Sequence, residues 1–260
     1  MSNNVAKINQ NKNHQSELTE YLKSSKPLNI SHIYMDVRKS KINTENHKKI
    51  INAIEDNKNT ISNGMAGSGK TFIALNLGIQ KALEGVFDKV VVFRSTVSVR
   101  DNGFLPGSEK DKNAPFELPY QELLCETFNS QSLELYFKLV NDKMFKFEST
   151  AFNQGRTISN SFIIVDETQN LTYGEIYNLY TRIGKNSVIH FCGDYKKQTF
   201  LRKEKSGFEK FIKVINSCEK LKKRFEYVEM GFDDIVRNEQ VKDFIIADYL
   251  YEKNNKKENS

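Results

Sequence analysis

The chain has 260 residues, 38% of them hydrophobic and 28% charged, and a formal net charge of +6. This length suffices for one α/β domain with a buried core, and the mildly basic charge permits a nucleic-acid partner without requiring one. Three cysteines without a CxxC pair exclude a disulfide framework or a zinc motif, and no apolar run approaches the roughly 20 residues of a membrane span, so we expect a cytoplasmic protein with no membrane partner.

In chain order, residues 1–40 are rich in Asn, Ser and Lys, which predicts a largely flexible arm. A single domain is predicted over residues 41–251, followed by a disordered polar tail at 252–260. Within the domain, helices are predicted at 48–55, 70–84, 174–183, 207–216 and 238–253, and strands at 60–63, 89–93, 161–165, 187–192 and 225–229. Apolar strands between amphipathic helices indicate an α/β fold, a parallel sheet covered on both faces that binds ligands at its carboxyl edge.

The stretch from about 101 to 155 breaks this alternation, because it contains several Gly and Pro residues and then a helical segment at 120–140. We interpret it as an insertion on the core fold, and long insertions are often functional. Five of its phenylalanines favour core positions over base-stacking positions; they are Phe128, Phe137, Phe145, Phe147 and Phe152.

A glycine-rich loop lies between the first predicted strand and the next helix and matches the pattern G-x-x-x-x-G-K-[ST]. It consists of Gly64, Met65, Ala66, Gly67, Ser68, Gly69, Lys70 and Thr71. In such a P-loop the backbone N–H groups surround phosphate oxygens at a helix N-terminus, the lysine reaches the β- and γ-phosphates, and the threonine hydroxyl binds Mg²⁺. The strand before the loop and the amphipathic helix after it favour an ATP–Mg²⁺ site over a glycine turn without a ligand.

Two acids end the buried strand at 161–165, about 90 residues after the loop. Asp166 is predicted to hold Mg²⁺, and Glu167 to orient and polarise the attacking water, which favours hydrolysis over transfer to another acceptor. At the end of the next strand, residues 192–198 (CGDYKKQ) offer polar groups that could sense the γ-phosphate, although an ordinary Gly-Asp turn explains the same pattern.

Several stretches together resemble the PhoH family of phosphate-starvation-induced ATPases, and most closely the short PhoH-like proteins of bacteriophages. They are GMAGSGKTFIAL (64–75), VVFRSTV (91–97), NGFLPGSEKDK (102–112), QGRTISNSFIIVDETQN (154–170), TRIG (181–184), CGDYKKQ (192–198) and DDIVRNEQV (233–241). The resemblance covers about residues 45–250 and implies a single RecA-like P-loop core related to superfamily-one helicases. If a phage encodes the chain, we expect the protein in the cytoplasm of the host cell.

The resemblance also implies roles for individual residues. Gln169 and Gln198 correspond to nucleotide-state sensors, and Arg237 to the arginine that reaches the γ-phosphate. Three residues separate Asp194 from Gln198, where the family pattern has two. His47 stands where the family often has a glutamine that reads adenine, so we expect adenine recognition to be weaker or built differently.

Three hypotheses follow for the function beyond ATP binding. The first is an ATP-driven enzyme that remodels RNA or single-stranded nucleic acid, which would need a basic groove with stacking aromatics. The second is a nucleotide-switched oligomer that regulates a protein partner, and the third is an ATP-binding module with negligible turnover, against which Glu167 argues.

The sequence also predicts self-assembly into a closed ring, a hexamer by expectation. Related two-domain helicases complete their ATP site with an arginine from a second RecA-like domain, whereas this sequence has one phosphate loop. An arginine that reaches a neighbouring subunit would supply it, and such head-to-tail contacts close into rings. The alternative is a monomer in which Arg237 forms a salt bridge within its own domain.

Overall fold

A computed structural model describes residues 42–96, 109–127, 134–150, 155–194 and 206–258. The predicted arm at 1–40 lies outside these ranges. The helices are α1 (Glu45–Glu55), α2 (Lys70–Leu83), α3 (Glu109–Thr127), α4 (Glu134–Asn141), α5 (Tyr173–Tyr180), α6 (Phe208–Asn216), α7 (Glu219–Lys222) and α8 (Glu239–Glu258). The strands are β1 (Asn59–Gly64), β2 (Lys89–Arg94), β3 (Phe145–Ser149), β4 (Ser161–Asp166), β5 (Val188–Gly193) and β6 (Phe225–Met230).

The six strands form one sheet in the order β3-β2-β4-β5-β1-β6, and every pair is parallel. Alternate residues of β2 enter separate cores on the two faces of this sheet, with Val90 and Val92 on one side and Val91 and Phe93 on the other. Helices α1 to α4 cover the first face, and α5 and α6 cover the second. The predicted α/β fold, a parallel P-loop sheet between helices, is therefore confirmed.

The segment predicted to be an insertion contributes a strand to the sheet, which corrects the sequence-based interpretation. Strand β3 pairs with β2 along its whole length and forms an edge of the sheet. Helices α3 and α4 therefore form the crossover that joins two adjacent parallel strands. Phe145 and Phe147 of β3 are buried, as expected for core residues, whereas Phe128 and Phe152 lie outside the described residues.

The C-terminal helix differs from the prediction as well. Helix α8 continues to Glu258, through most of the tail that its polar composition predicts to be disordered. None of the helices in the described part of the chain has the length and apolar character needed to cross a bilayer.

Candidate nucleotide-binding site

Strands β1, β5, β4 and β2 end side by side at the carboxyl edge of the sheet. Their pairing places Asn63 of β1 beside Gly193 of β5, and Asp166 of β4 beside Arg94 of β2. A cleft of about 560 Å³ opens there, and its walls include the whole P-loop, the ends of β2, β4 and β5, and part of α8. The sheet topology thus brings together residues that are up to 130 positions apart in sequence.

The P-loop contains three glycines with positive φ angles. Gly64, Gly67 and Gly69 have φ angles of 134°, 73° and 77°, a region that side chains with a Cβ rarely adopt. The Lys70 ammonium donates to the carbonyl oxygens of Gly64 and Met65, both at 2.7 Å, and lies 3.0 Å from Ser68 Oγ. Burial lowers the pKa of Lys70, while the nearby acidic groups oppose that change.

The residues predicted to hold the metal meet directly. Thr71 Oγ1 donates to Asp166 Oδ1 at 2.6 Å, although the two residues are 95 positions apart. Asp166 is only 7% exposed and lies beside the loop that would hold the phosphates. A hydroxyl and a carboxylate are oxygen ligands suited to Mg²⁺, which is commonly bound through one or two such groups together with substrate phosphates. The residues present therefore fit a magnesium–nucleotide complex.

Glu167 is held by a bridge between two strands. Gln169 Nε2 donates to Glu167 Oε2 at 2.6 Å, and Gln169 Oε1 accepts the backbone N–H of Asp194 at 3.0 Å. Gly193 leaves room for this bridge, because a Cβ at that position would lie 2.8 Å from Gln169 Oε1 and 2.9 Å from the Phe208 ring. The Gly-Asp pair is therefore more than a turn, because Gln169 connects it to the carboxylate of Glu167.

The backbone of Glu167 is in the left-handed region, with φ 50° and ψ 43°, which is uncommon for a residue with a side chain. The next residue fixes this turn: Thr168 Oγ1 lies 2.8 Å from the carbonyl oxygen of Val165 and 3.0 Å from that of Cys192. Burial and the neighbouring Asp166 raise the pKa of Glu167. A carboxylate with a raised pKa is a stronger proton acceptor, which suits a general base.

Arg94 and Tyr120 join the acidic pair, and the sequence analysis predicted neither. The Tyr120 hydroxyl donates to Asp166 Oδ2 at 2.6 Å. Although burial disfavours the charged form of Arg94, interactions with Tyr120, Asp166 and Glu167 raise its pKa overall. Arg94 ends a buried strand at the ligand edge of the sheet, a position that could have marked it in the sequence. Tyr120 carries no such signal, because only the fold brings α3 to this edge.

His47, at the position that the resemblance associates with adenine, makes its contacts within the protein. Its ring is fully buried. Nδ1 accepts the backbone N–H of Thr44 at 3.2 Å, so Nε2 carries the proton and donates to the carbonyl oxygen of Ser68 at 3.0 Å. Because both ring nitrogens have protein partners, His47 supports the P-loop from behind.

Arg237 lies at the cleft of its own chain. Val236 N donates to the carbonyl oxygen of Gly67 at 3.0 Å, and a Cβ on Gly67 would lie 2.6 Å from Arg237 Cγ. The arginine is exposed and lines the cleft. The reach of Arg237 into a neighbouring subunit stays a prediction. The other predicted sensor, Gln198, lies outside the described residues.

Helix α8 follows Arg237 and forms a wall of the cleft through Phe244, Ile245 and Asp248. Phe244 is 72% exposed. The sequence analysis predicted this helix but gave it no part in the site.

Comparisons with known proteins place the chain in one family. The model of a family described as PhoH-like protein matches residues 39–249. A PhoH-like protein of Synechocystis is 30% identical over 205 residues, which are 78% of this chain and 60% of that protein. Protein PhoH2 of Bacillus subtilis is 39% identical over 134 residues (50% of this chain, 30% of that protein), and protein PhoH of Escherichia coli is 27% identical over 189 residues (72% and 52%).

The chain spans at most about 60% of the length of these relatives. Among solved structures, the Hef helicase domain of Pyrococcus furiosus matches 75% of this chain and 40% of its own, with a TM-score of 0.42 and 17% identity. A structure of Pif1 helicases at forked DNA matches 72% of this chain and 43% of its own, with a TM-score of 0.31 and 18% identity.

Proposed function

This chain belongs to the PhoH family, and from that membership and the geometry of its cleft we propose that it binds ATP with Mg²⁺ and hydrolyses the ATP. One observation carries the proposal. A P-loop, a hydroxyl–carboxylate pair suited to Mg²⁺ and a second carboxylate with a raised pKa meet at one edge of the sheet.

The P-loop would hold the triphosphate. Its N–H groups lie at the N-terminus of α2, where the helix dipole favours negative charge. Lys70 is within reach of the same space and would exchange its carbonyl partners for phosphate oxygens. Arg237 lies beside Gly67 at the same cleft and would add a second positive charge at the phosphates.

Thr71 and Asp166 would hold the Mg²⁺ ion, which neutralises phosphate charge when it is bound. Glu167 would accept a proton from the attacking water. The Gln169 amide fixes one carboxylate oxygen of Glu167 and leaves the other for the water. The strained backbone of Glu167 supports this role, because such conformations cluster at active sites.

Lys70→Ala tests the phosphate site. We expect nucleotide binding or turnover to be lost, because the β/γ-phosphates lose their main positive partner. The matched control is Lys81→Ala, since Lys81 lies on the same helix and donates to the carbonyl oxygen of Glu55. ATPase activity of Lys70→Ala equal to that of the control would remove the proposed function.

Glu167→Gln tests hydrolysis separately from binding. The variant keeps an oxygen that can accept from Gln169, so we expect ATP and Mg²⁺ to bind normally. Turnover should fall by about 10²-fold or more, the usual scale for a positioned base. Steady-state ATPase assays and nucleotide-binding titrations would measure the two effects, and normal turnover would assign Glu167 a structural role.

We further propose that the hydrolysis acts on RNA or single-stranded nucleic acid. The net charge of +6 and the sequence pI of about 9.0 support such a partner. The ATPase rate should rise when single-stranded RNA or DNA is added, and binding should weaken steeply as salt increases, because phosphate contacts release counterions. Unchanged rates and no binding would favour the other candidate, a nucleotide-switched regulator of a protein partner.

A further inference from the structure

Asp166 is the residue proposed to hold Mg²⁺, and each of its two carboxylate oxygens already accepts a hydrogen bond from a hydroxyl group of the protein. Thr71 donates to Asp166 Oδ1, and Tyr120 donates to Asp166 Oδ2, each at 2.6 Å. The Thr71 hydroxyl belongs to the P-loop motif. The Tyr120 hydroxyl comes from the crossover helix α3 and has no part in that motif.

Tyr120 is held firmly where it stands. Its side chain is 1% exposed, so water cannot easily replace its hydroxyl group. The ring packs against Phe147 of β3, with ring centroids 5.6 Å apart, and both rings belong to the core on that face of the sheet. The orientation of the hydroxyl is therefore fixed by packing from both the helix and the sheet.

A positive charge completes the cluster. Arg94 stands beside Asp166 in the sheet register and interacts with Tyr120 and both carboxylates. Its positive charge offsets the repulsion between the carboxylates of Asp166 and Glu167. The side chain of Arg94, on β2, also interacts with Tyr120 of α3. The cluster thus connects helix α3, part of the crossover between β2 and β3, to Asp166.

We propose that Tyr120 is a positioning residue that fixes one oxygen of Asp166 so that the other faces Mg²⁺. This inference rests on the proposed function and deepens it by assigning the metal site a partner from outside the P-loop motif. Groups that orient a metal ligand from behind typically change metal affinity by about 10- to 100-fold when they are removed.

Tyr120→Phe removes only the hydroxyl group. The test titrates Mg²⁺ into protein with ADP and measures the affinity for ADP as a function of Mg²⁺ by calorimetry. We expect the Mg²⁺ concentration for half-maximal effect to rise by about tenfold or more. The affinity for ADP without Mg²⁺ should stay as in the wild type.

Tyr136→Phe is the matched control. Tyr136 is also buried, lies on α4 in the same layer, and donates to Glu117 instead of Asp166. An equal loss of Mg²⁺ affinity in both variants would attribute the effect to the layer as a whole and overturn the inference. A Tyr120→Phe variant with the same Mg²⁺ affinity as the wild type would also overturn the inference.

Two further measurements test whether Tyr120 acts through Asp166 and whether Mg²⁺ affects nucleotide binding at all. Tyr120→Phe should have no additional effect in an Asp166→Asn background if Tyr120 acts through Asp166; an undiminished effect there would overturn the inference. If the ADP affinity of the wild type does not depend on Mg²⁺, both the proposed function and this inference are overturned. If it does depend on Mg²⁺ and Tyr120→Phe shows the same dependence, only the inference is overturned.

A separate observation concerns the nucleotide base. Phe244 lines the cleft although 72% of its surface is exposed, and Ile245 beside it lines the same wall. Exposed aromatic rings in a ligand cleft offer a face for stacking, which every base can use. His47, at the position expected to read adenine, is fully engaged with the protein.

From this geometry we infer that Phe244 stacks on the base, and that the site accepts nucleoside triphosphates with little discrimination among bases. This second inference also rests on the proposed function. Phe244→Ala should weaken ATP, GTP and CTP binding by about tenfold each, the scale of losing one stacking contact. Inhibition by inorganic tripolyphosphate, which has no base, should not change.

Val241→Ala is the control, because Val241 is an exposed apolar residue of the same helix that does not line the cleft. Wild-type ATP affinity in Phe244→Ala, or a preference for ATP over GTP above 100-fold in the wild type, would overturn this inference. Absence of nucleotide binding in the wild type would overturn the proposed function with it.

Discussion

At the scale of single residues, the chemistry depends on how the side chain of Glu167 is oriented. Gln169 connects it to the end of β5, by one hydrogen bond to the carboxylate and another to the Asp194 amide. This bridge makes Gln169 responsive to changes at either strand end. Its effect should therefore be on the rate of hydrolysis rather than on nucleotide affinity.

Gln169→Leu keeps a similar volume and removes both hydrogen bonds. We expect kcat to fall by on the order of 10- to 100-fold, because small misplacements of catalytic groups are costly, while KM stays close to the wild-type value. Gln80→Leu on α2 serves as the control, since Gln80 bonds only Glu84 on the helix surface. A change in KM with kcat intact would place Gln169 in nucleotide binding instead.

Some site residues belong to short sequence motifs and could be predicted, whereas others reach the site only through the fold. The P-loop residues and Asp166 were predictable, because phosphate and Mg²⁺ impose fixed residue types over short spacings. Tyr120 was not, because its role depends on α3 crossing to the end of β4. The contacts of the His47 ring were not predictable, because sequence distance from the loop does not reveal which way the ring points.

At the scale of elements, Asp234 fastens the start of α1 to the turn after β6. Its carboxylate accepts hydrogen bonds from Thr44 Oγ1, from Asn46 Nδ2 at 2.9 Å and from the Gly231 N–H at 2.7 Å. Burial acts to raise the pKa of Asp234, but these hydrogen bonds outweigh it and hold the pKa below its usual value. The same turn leads to Arg237, so this connection also supports the cleft.

Asp234→Asn should lower the free energy of unfolding at pH 7 by about 1–3 kcal/mol, because donors lose a charged acceptor. A carboxyl with a depressed pKa stabilises the fold above its unfolded pKa and stops doing so as pH falls through the folded pKa. The difference from wild type should therefore shrink below about pH 4. Urea unfolding measures it, with the exposed neighbour as the control variant, Asp233→Asn.

The elements themselves were predictable where the pattern was strong. All six residues of β4 and of β5 are buried, which matches the continuous apolar runs. Strand β3 was missed although its residues alternate as those of an edge strand do, because the several prolines before it indicate an insertion rather than a part of the sheet. The end of α8 was missed because its polar composition suits a disordered tail equally well.

At the scale of the whole molecule, the centre of the sheet contains a histidine that must stay neutral. His190 is fully buried between β1 and β4, stacked on Phe162 with ring centroids 4.2 Å apart, and Thr60 Oγ1 lies 2.9 Å from its Nδ1. Burial, with a smaller contribution from Lys81, lowers the pKa of His190 to about 3. The unfolded chain therefore binds a proton that the folded chain does not over the acidic range.

Stability should consequently fall as pH decreases below about 6.5, by up to about 1.4 kcal/mol per pH unit from this residue. His190→Phe keeps a stacked ring and removes the titration, so its loss of stability between pH 7 and pH 5 should be smaller than that of the wild type. Urea unfolding at the two pH values tests this. Equal losses in both proteins would contradict the assignment.

Assembly into a ring remains a proposal, and the position of Arg237 changes its test. Because Arg237 lies against its own P-loop, mixing Lys70→Ala with Arg237→Ala should not restore ATPase activity even in a proven mixed assembly. Restored activity would show that the arginine works between subunits, as the sequence suggested. A mass measurement at working concentration decides independently between a hexamer and a monomer.

The position of β1 in the sheet has a consequence for protein synthesis. Although β1 is the first strand in the described part of the chain, its neighbours are β5 and β6, so Ile61 pairs with Phe191 and Tyr227. A nascent chain that has emerged only to β4 carries the complete P-loop sequence but lacks both strands that hold it. Both strands beside the P-loop strand, and then Arg237 and α8 at the cleft, are made only after β4, so we expect nucleotide binding to stabilise the chain only late in its folding on the ribosome.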